Sequence, residues 1–465
     1  MASEIYDVAV VGGGPGGYVS AIRAAQLGLK SVVIEKDKPG GVCLNWGCIP
    51  TKALLKNAEL VLTLRHAEDY GISCDNLRFD MGKAVKRSRK AADTLAGGIK
   101  FLLKKNKVDL VSGHGRLASS TSVDVTNGKG ETQTVNARSI VLATGSRSKA
   151  IPAVPVDGKR IITSTEAMLI EEPPGSMTII GGGAIGVEFA YYYAAYGTEV
   201  TIVEMLPHLL PVEDEEISET LEKSFAKLGI GIKTGARVES AESGSDGTSV
   251  TVSVDGKVET LKADVTLLAI GRDANVEDIG LEALGVETER GFIKVDEECR
   301  TTVSDVYAIG DVTGPPLLAH KASAEGINLV ERLAGHPSAP IDRENIPACT
   351  YCQPQVASVG LTEAQAAADG REIQVFRMPY RSSGKAVAAG QTDGMVKLIA
   401  DAKYGEILGA HIIGADATEL IAEICTARTL ESTTRELHKT IHAHPTLSEL
   451  VMEAAAGLEG AAIHI

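Results

Sequence analysis

Residues 5–35 read IYDVAVVGGGPGGYVSAIRAAQLGLKSVVIE. Residues 5 to 11 have the apolar, β-branched character of a buried strand. Gly12, Gly14 and Gly17 follow with the spacing GxGxxG, YVSAIRAAQLG continues with helical periodicity to Gly28, and a second strand, KSVVIE, ends at Glu35. Residues 177–204 replay the pattern: strand MTII, then Gly181, Gly183 and Gly186, helix VEFAYYYAAYG, and strand EVTIVE ending at Glu204. In both copies the acidic residue follows the third glycine by 18 positions. A single GxGxxG is a weak signal, because glycine runs are common in loops. Here each copy sits in the strand, turn, helix, strand context that dinucleotide binding needs. Bare backbone approaches a pyrophosphate, a helix N-terminus stabilises its charge, and a carboxylate accepts from a ribose hydroxyl. The expected fold class is therefore α/β, with two Rossmann-like nucleotide-binding domains. Two α/β units with tight turns and no nucleotide are the plainer alternative.

The length, 465 residues, allows roughly three domains at about 150 residues each. With 46 Lys and Arg against 61 Asp and Glu, the net charge is −15, and no basic block offsets it. Nucleic acid and anionic membranes are poor partners for such a chain. Only four residues precede the first strand, which leaves no room for a signal or transit peptide, and no apolar stretch is long enough to span a bilayer. A soluble, cytoplasmic protein is expected. Seven cysteines are a sparse and odd count, unlike a disulfide scaffold. Two of them, Cys43 and Cys48 in GGVCLNWGCIP (40–50), stand five positions apart, and a redox-active pair is the expectation. A structural disulfide is the alternative.

The two nucleotide motifs and the thiol pair suggest a relay. A dithiol gives up electrons as thiolates, nicotinamide accepts only a hydride, and a flavin takes both roles. Cys43 lies 26 residues after Gly17, inside the first unit, which assigns FAD to the first copy and a nicotinamide to the second. Glu204 suits a free ribose 2′-hydroxyl and repels a 2′-phosphate, and the following MLPH supplies no arginine, so NAD is favoured over NADP. Cys48 precedes Ile49, Pro50 and a helical pattern, a position where the helix dipole favours a thiolate. Lys52 adds positive charge there, or is a solvated helix residue. Trp46, the only tryptophan, lies between the thiols.

GGVCLNWGCIPTK, the two glycine motifs, LATGS (142–146), YAIGD (307–311) and HAHPTLSE (442–449) together resemble the dihydrolipoyl dehydrogenase family of flavoprotein disulfide reductases, from residue 5 to near the C-terminus. The resemblance implies that Cys43 exchanges with a dihydrolipoyl substrate, that Cys48 contacts the flavin, and that Lys52 sits by the flavin, paired with Glu188. It places Gly12, Gly14, Gly17, Glu35, Gly115, Thr144, Gly145, Ser146, Asp311 and Ala319 at FAD. It places Gly181, Gly183, Gly186, Glu188, Glu204, Val238 and Gly271 at NAD. Asp311 ends a strand-like run, where it meets a ribityl chain or is an ordinary turn aspartate. In HAHPTLSE the resemblance makes His444 the base for the incoming dithiol, oriented by Glu449, with His442 a neighbour that transfers no proton. On the residues alone, Thr446 and Glu449 also spell a capping box, and that reading stays open here.

The same resemblance implies an FAD-binding domain over residues 1–150, an NAD-binding domain over 151–272, a central domain completing the FAD site over 273–345, and an α+β dimerisation domain over 346–465. Its partners would be a second copy and the lipoyl domains of a 2-oxo acid dehydrogenase or glycine-cleavage complex. Glutathione and mercuric reductases are the alternatives within the superfamily. Glu204 argues against the first, and the lack of a C-terminal vicinal cysteine pair against the second. A redox-inert complex subunit is the alternative from another class, against which both cysteines and His444 speak. CTYCQPQVASVG (349–360) carries Cys349 and Cys352 and two glutamines where a histidine and a glutamate are common. No second ligand pair accompanies that CxxC, so no metal is expected. Cys74, Cys299 and Cys425 read as small buried hydrophobes.

Overall fold

The computed structural model describes residues 5–465. They form two compact units. The first comprises the chain up to Ala53, Lys83–Lys149 and Gly271–Ile341; the second comprises Leu54–Gly82, Ala150–Ile270 and Asp342–Ile465.

The first unit is built on the strand Ile5–Val11, which pairs in parallel with Ser31–Glu35 on one side and Thr132–Leu142 on the other. Asp109–Ser112 extends the sheet beyond Ser31–Glu35, and Val306–Ala308 pairs in parallel with Thr132–Leu142. Both faces are covered, which explains why the first strand shows no simple alternation. Val8 and Val10 pack on one side with Val33 and Val141, while Ala9 and Val11 pack on the other with Val32, Ile34 and Leu142. The helix Pro15–Gln26 crosses the helix Ala319–Leu333 where small residues meet. A Cβ on Gly326 would stand 2.2 Å from Ser20 Oγ and 2.9 Å from the Gly16 carbonyl oxygen.

The second unit repeats the theme. Its parallel sheet runs Gly231–Lys233, Glu199–Val203, Ser176–Ile180, Val265–Leu268, Ile161–Ile162, with a three-stranded antiparallel sheet over residues 236–263. Its C-terminal part is α+β. An antiparallel sheet ordered Ala348–Thr350, Gln355–Gly360, Ile407–Gly414, Met395–Asp401, Ile373–Pro379 shares one core with the helices Ala417–Thr429 and Glu449–Leu458. The architecture is the expected one, two nucleotide-type α/β units and a C-terminal α+β part. Of the three cysteines read as buried hydrophobes, Cys299 is buried and Cys425 half-buried, but Cys74 is exposed on the loop between Tyr70 and Met81. Surrounded there by Ser73, Asp75 and Asn76, it has no apolar run to carry it inward.

Candidate active site

The glycines of the two turns divide the work in the same way. Gly12 and Gly181 both take φ +109°, and a Cβ on them would lie 2.2 Å from the Ala143 oxygen and 2.4 Å from the Ala269 oxygen. A Cβ on Gly17 or Gly186 would stand 1.8 or 1.9 Å from the oxygen of Gly12 or Gly181. These four positions close the turns. Gly14 and Gly183 differ: their backbones are extended, and nothing lies within 4 Å of the Cβ each would carry. Each is the N-cap of its helix, without a side-chain cap and with no acidic residue in the first turn. Uncapped N–H groups facing open space fit a pyrophosphate. The two carboxylates match as well. Glu35 accepts from the N–H of Gly13 at 2.6 Å and of Asp37 at 2.8 Å, and Glu204 accepts from Gly182 at 2.6 Å and Leu206 at 2.8 Å. Each oxygen keeps a lone pair for a ribose hydroxyl.

The cysteine segment is anchored to the first turn. Gly40 N–H donates to the Gly13 oxygen at 2.7 Å, and Gly41, at φ +57°, leaves only 2.7 Å between a Cβ and Gly14 Cα. A short helix, Gly41–Trp46, carries Cys43, and Cys48 opens the helix Cys48–Arg65. The two thiols are reduced and hydrogen-bonded to each other. That bond raises the Cys43 thiol far above its ordinary value; burial and the charge of Cys48 add to the shift, while Lys52 opposes it. Arg272, which the sequence reading did not single out, is half-buried within electrostatic reach of Cys48 and Asp311. Its guanidinium donates to Ser146 Oγ and O, both at 2.7 Å, and Ser146 Oγ donates to Asp311 at 2.5 Å. The only signal for it was its place directly after Gly271.

The other residues of the first unit fall as follows. Thr144 donates its hydroxyl to the Asn275 oxygen at 2.8 Å, and Gly145, at φ +73°, accepts from Asn275 N–H. Gly115 lies against Val11 and Ile34, and Ala319 opens its helix. Buried Lys321, also missed, braces the YAIGD turn by donating to the Gly314 oxygen at 2.8 Å, beside Glu325, which accepts from Gly310 N–H.

In the second unit Glu188 is buried and accepts from Tyr351 N–H at 2.9 Å, while Val238 is half-buried beside the three-stranded sheet's core. His444 and Glu449 meet: Nδ1 lies 2.9 Å from Oε1, and Glu449 Oε2 accepts from Thr446 N–H at 2.9 Å. Burial pushes the Glu449 carboxyl up, but the Thr446 N–H and His444 outweigh it and hold it below its ordinary range. The capping box is half made, since the Thr446 hydroxyl donates to the Ala443 oxygen rather than capping the helix, which starts at Glu449. His442 has both nitrogens engaged, with Glu423 at 2.6 Å and the Thr440 oxygen at 2.9 Å.

Residues 6–326 match the pyridine nucleotide-disulphide oxidoreductase family, and residues 346–455 match that family's dimerisation domain. The dihydrolipoyl dehydrogenase of Chlorobaculum tepidum is 49% identical over 97% of this chain and 96% of its own. That of Bacillus subtilis is 44% identical over the whole of both chains. The chain belongs to the pyridine nucleotide-disulphide oxidoreductases, among the dihydrolipoyl dehydrogenases. Membership makes it an oxidoreductase that uses FAD and NAD. Among solved structures, LpdA of Mycobacterium tuberculosis matches with a TM-score of 0.92 at 29% identity over 98% of this chain and all of that one. The HOCl-induced flavoprotein disulfide reductase RclA of Escherichia coli matches at 0.86 and 27% identity over 97% and 99%. The dimerisation domain supports a homodimer. No helix among the described residues is long and apolar enough to cross a membrane.

Proposed function

We infer that this chain oxidises protein-bound dihydrolipoamide to lipoamide and reduces NAD+ to NADH. One observation carries the reading: the Cys43–Cys48 thiols touch each other on a segment hydrogen-bonded to the first nucleotide turn. His444 Nε2, opposite the nitrogen that Glu449 holds, takes a proton from the substrate dithiol. The resulting thiolate attacks Cys43 Sγ of the oxidised Cys43–Cys48 disulfide, forming a mixed disulfide and releasing Cys48 as thiolate. The second substrate thiol displaces Cys43 and leaves as lipoamide, so two electrons and two protons pass to the protein. Lys52 and Arg272 offset the negative charge this step leaves on sulfur. FAD, when bound, supplies the two-electron step that reoxidises the pair and reduces NAD+.

In this reading Gly12, Gly14, Gly17, Glu35, Gly115, Thr144, Gly145, Ser146, Asp311 and Ala319 hold FAD. Gly181, Gly183, Gly186, Glu188, Glu204, Val238 and Gly271 hold NAD. The enzyme is cytoplasmic, as its sparse cysteines suggest, and serves the lipoyl domains of a multienzyme complex. The test is NADH formation from dihydrolipoamide, run beside NADPH-dependent reduction of glutathione disulfide. Activity only in the second assay would overturn the assignment.

A further inference from the structure

The helix Glu449–Leu458 carries a second carboxylate one turn beyond Glu449. Glu453 stands four positions on, so the two project from the same face. Its side chain is 9% exposed, and the mechanism above makes no use of it. The last residues of the chain fill its oxygens. Oε2 accepts from the N–H groups of Ile463 at 3.0 Å and His464 at 3.4 Å, and Oε1 lies 3.0 Å from His464 Nδ1. Burial raises the Glu453 carboxyl, yet these three donors hold it below its ordinary range. Two glutamate–histidine pairs therefore stand a turn apart, Glu449 with His444 and Glu453 with His464, and the charge of His464 also reaches Glu449.

Such an arrangement has a physical requirement. A carboxylate offers about four acceptor sites. A second, unsaturated carboxylate on the same helix face repels the first and competes for the donor that the first must orient. We propose that the C-terminal tail is a positioning element for the base: by occupying both oxygens of Glu453 with two backbone N–H groups and the His464 imidazole, it leaves Glu449 as the carboxylate that orients His444. This rests on the reading of His444 as the base. His464 is a positioning residue here and touches no reacting atom.

The holoenzyme tests this with His464→Ala, His464→Gln, the double variant His464→Ala/Glu453→Gln, and His444→Ala as reference. His464→Ala should lower kcat for dihydrolipoamide oxidation roughly three- to tenfold, a fraction of the 10²–10⁴ a general base supplies. The KM for NAD+ should not move, nor should NADH oxidation by ferricyanide, which needs no thiol base. His464→Gln keeps an N–H donor and should retain most of the rate. The double variant should recover kcat, because the competing charge is gone. A tail that merely anchors the helix end predicts the opposite, since both halves of the clamp are then lost. A crystal structure of the His464→Ala holoenzyme gives a second readout, with the His444 ring expected to turn from Glu449; an unmoved pair overturns the proposal. Loss of turnover in His444→Ala with none in His464→Ala refutes the tail's role alone. Full turnover in His444→Ala removes the base assignment and this proposal with it.

Discussion

At the scale of single residues, Glu449 makes the contacts that both readings of its motif require. One oxygen takes the Thr446 N–H of the half-made cap, and the other holds His444. Glutamine puts an NH2 donor where one of the two oxygens stood, so one of the two contacts then sets donor against donor. Glu449→Gln should therefore lower kcat with dihydrolipoamide by roughly 10², the lower end of a general base's contribution, while ferricyanide reduction by NADH stays intact. A rate near that of the parent, in a folded variant, would leave Glu449 only its cap. Cys43 and Cys48 stood out because they lie five positions apart, whereas His444 and Glu449 stood out through the family resemblance, the residues alone leaving the cap open. Arg272 and Glu453 did not, because each is fixed by residues ten to 126 positions away, such as Ser146 for Arg272; Lys321, seven positions from Gly314, carried no motif of its own. Glu213 was equally silent in sequence. Burial pushes its carboxyl up from 4.5 to about 7, the Ser358 hydrogen bond offsetting only part and Asp214 adding to the rise. A group whose folded value is raised keeps its proton longer when folded, so its contribution favours the fold below about 4.5 and is lost as pH climbs to about 7. Above that window the cost is roughly 3 kcal/mol. Glu213→Gln should raise the melting temperature at pH 8 and change it little at pH 5. An equal shift at both pH values would mean that ionisation of Glu213 does not bear on stability.

At the scale of elements, the repeat of strand, turn, helix and strand was the most readable feature, since each step is local. Apolar runs make the strands, glycines the turns, and periodicity the helices. What spacing alone did not reveal is that glycines within one motif do different jobs. Gly17 has no room for a methyl group beside the Gly12 oxygen, whereas Gly14 faces open space in an extended conformation. Gly17→Ala should therefore prevent the first unit from folding stably, with loss of soluble protein. Gly14→Val should fold, keep its circular dichroism, and be purified with little FAD, because the side chain fills the space before the uncapped helix end. Gly183→Val should act likewise on NAD, raising KM for NAD+ while FAD stays bound. Full FAD retention by Gly14→Val would show that the pyrophosphate lies elsewhere. The joining of Val306–Ala308 to the first sheet is an element-scale fact with no local signature, for its partner strand ends more than 160 positions earlier.

At the scale of the whole molecule, His444, the proposed base, and the thiols Cys43 and Cys48 belong to different units of the chain. In the protomer the His444 side chain is 77% exposed, and Ile441, three positions before it, is 96% exposed. An exposed histidine beside an exposed isoleucine, within a dimerisation domain, supports the proposal of a site completed by a second copy. In that arrangement each site takes Cys43 and Cys48 from one chain and His444 from the other, so the two lesions of a mixed dimer can be sorted by geometry. Cys43→Ser and His444→Ala homodimers should each be nearly inactive. A mixed dimer places both lesions in one site and leaves the other whole. Random pairing of equal amounts makes about half the dimers mixed, each with one working site of two, so turnover should recover to about a quarter of the parent enzyme. Were His444 to serve the cysteines of its own chain, every site would carry one lesion and mixing would restore nothing. Co-expression with two different affinity tags isolates the mixed dimer, where half the parent rate is expected. Inactivity of that purified species would rule out the shared site.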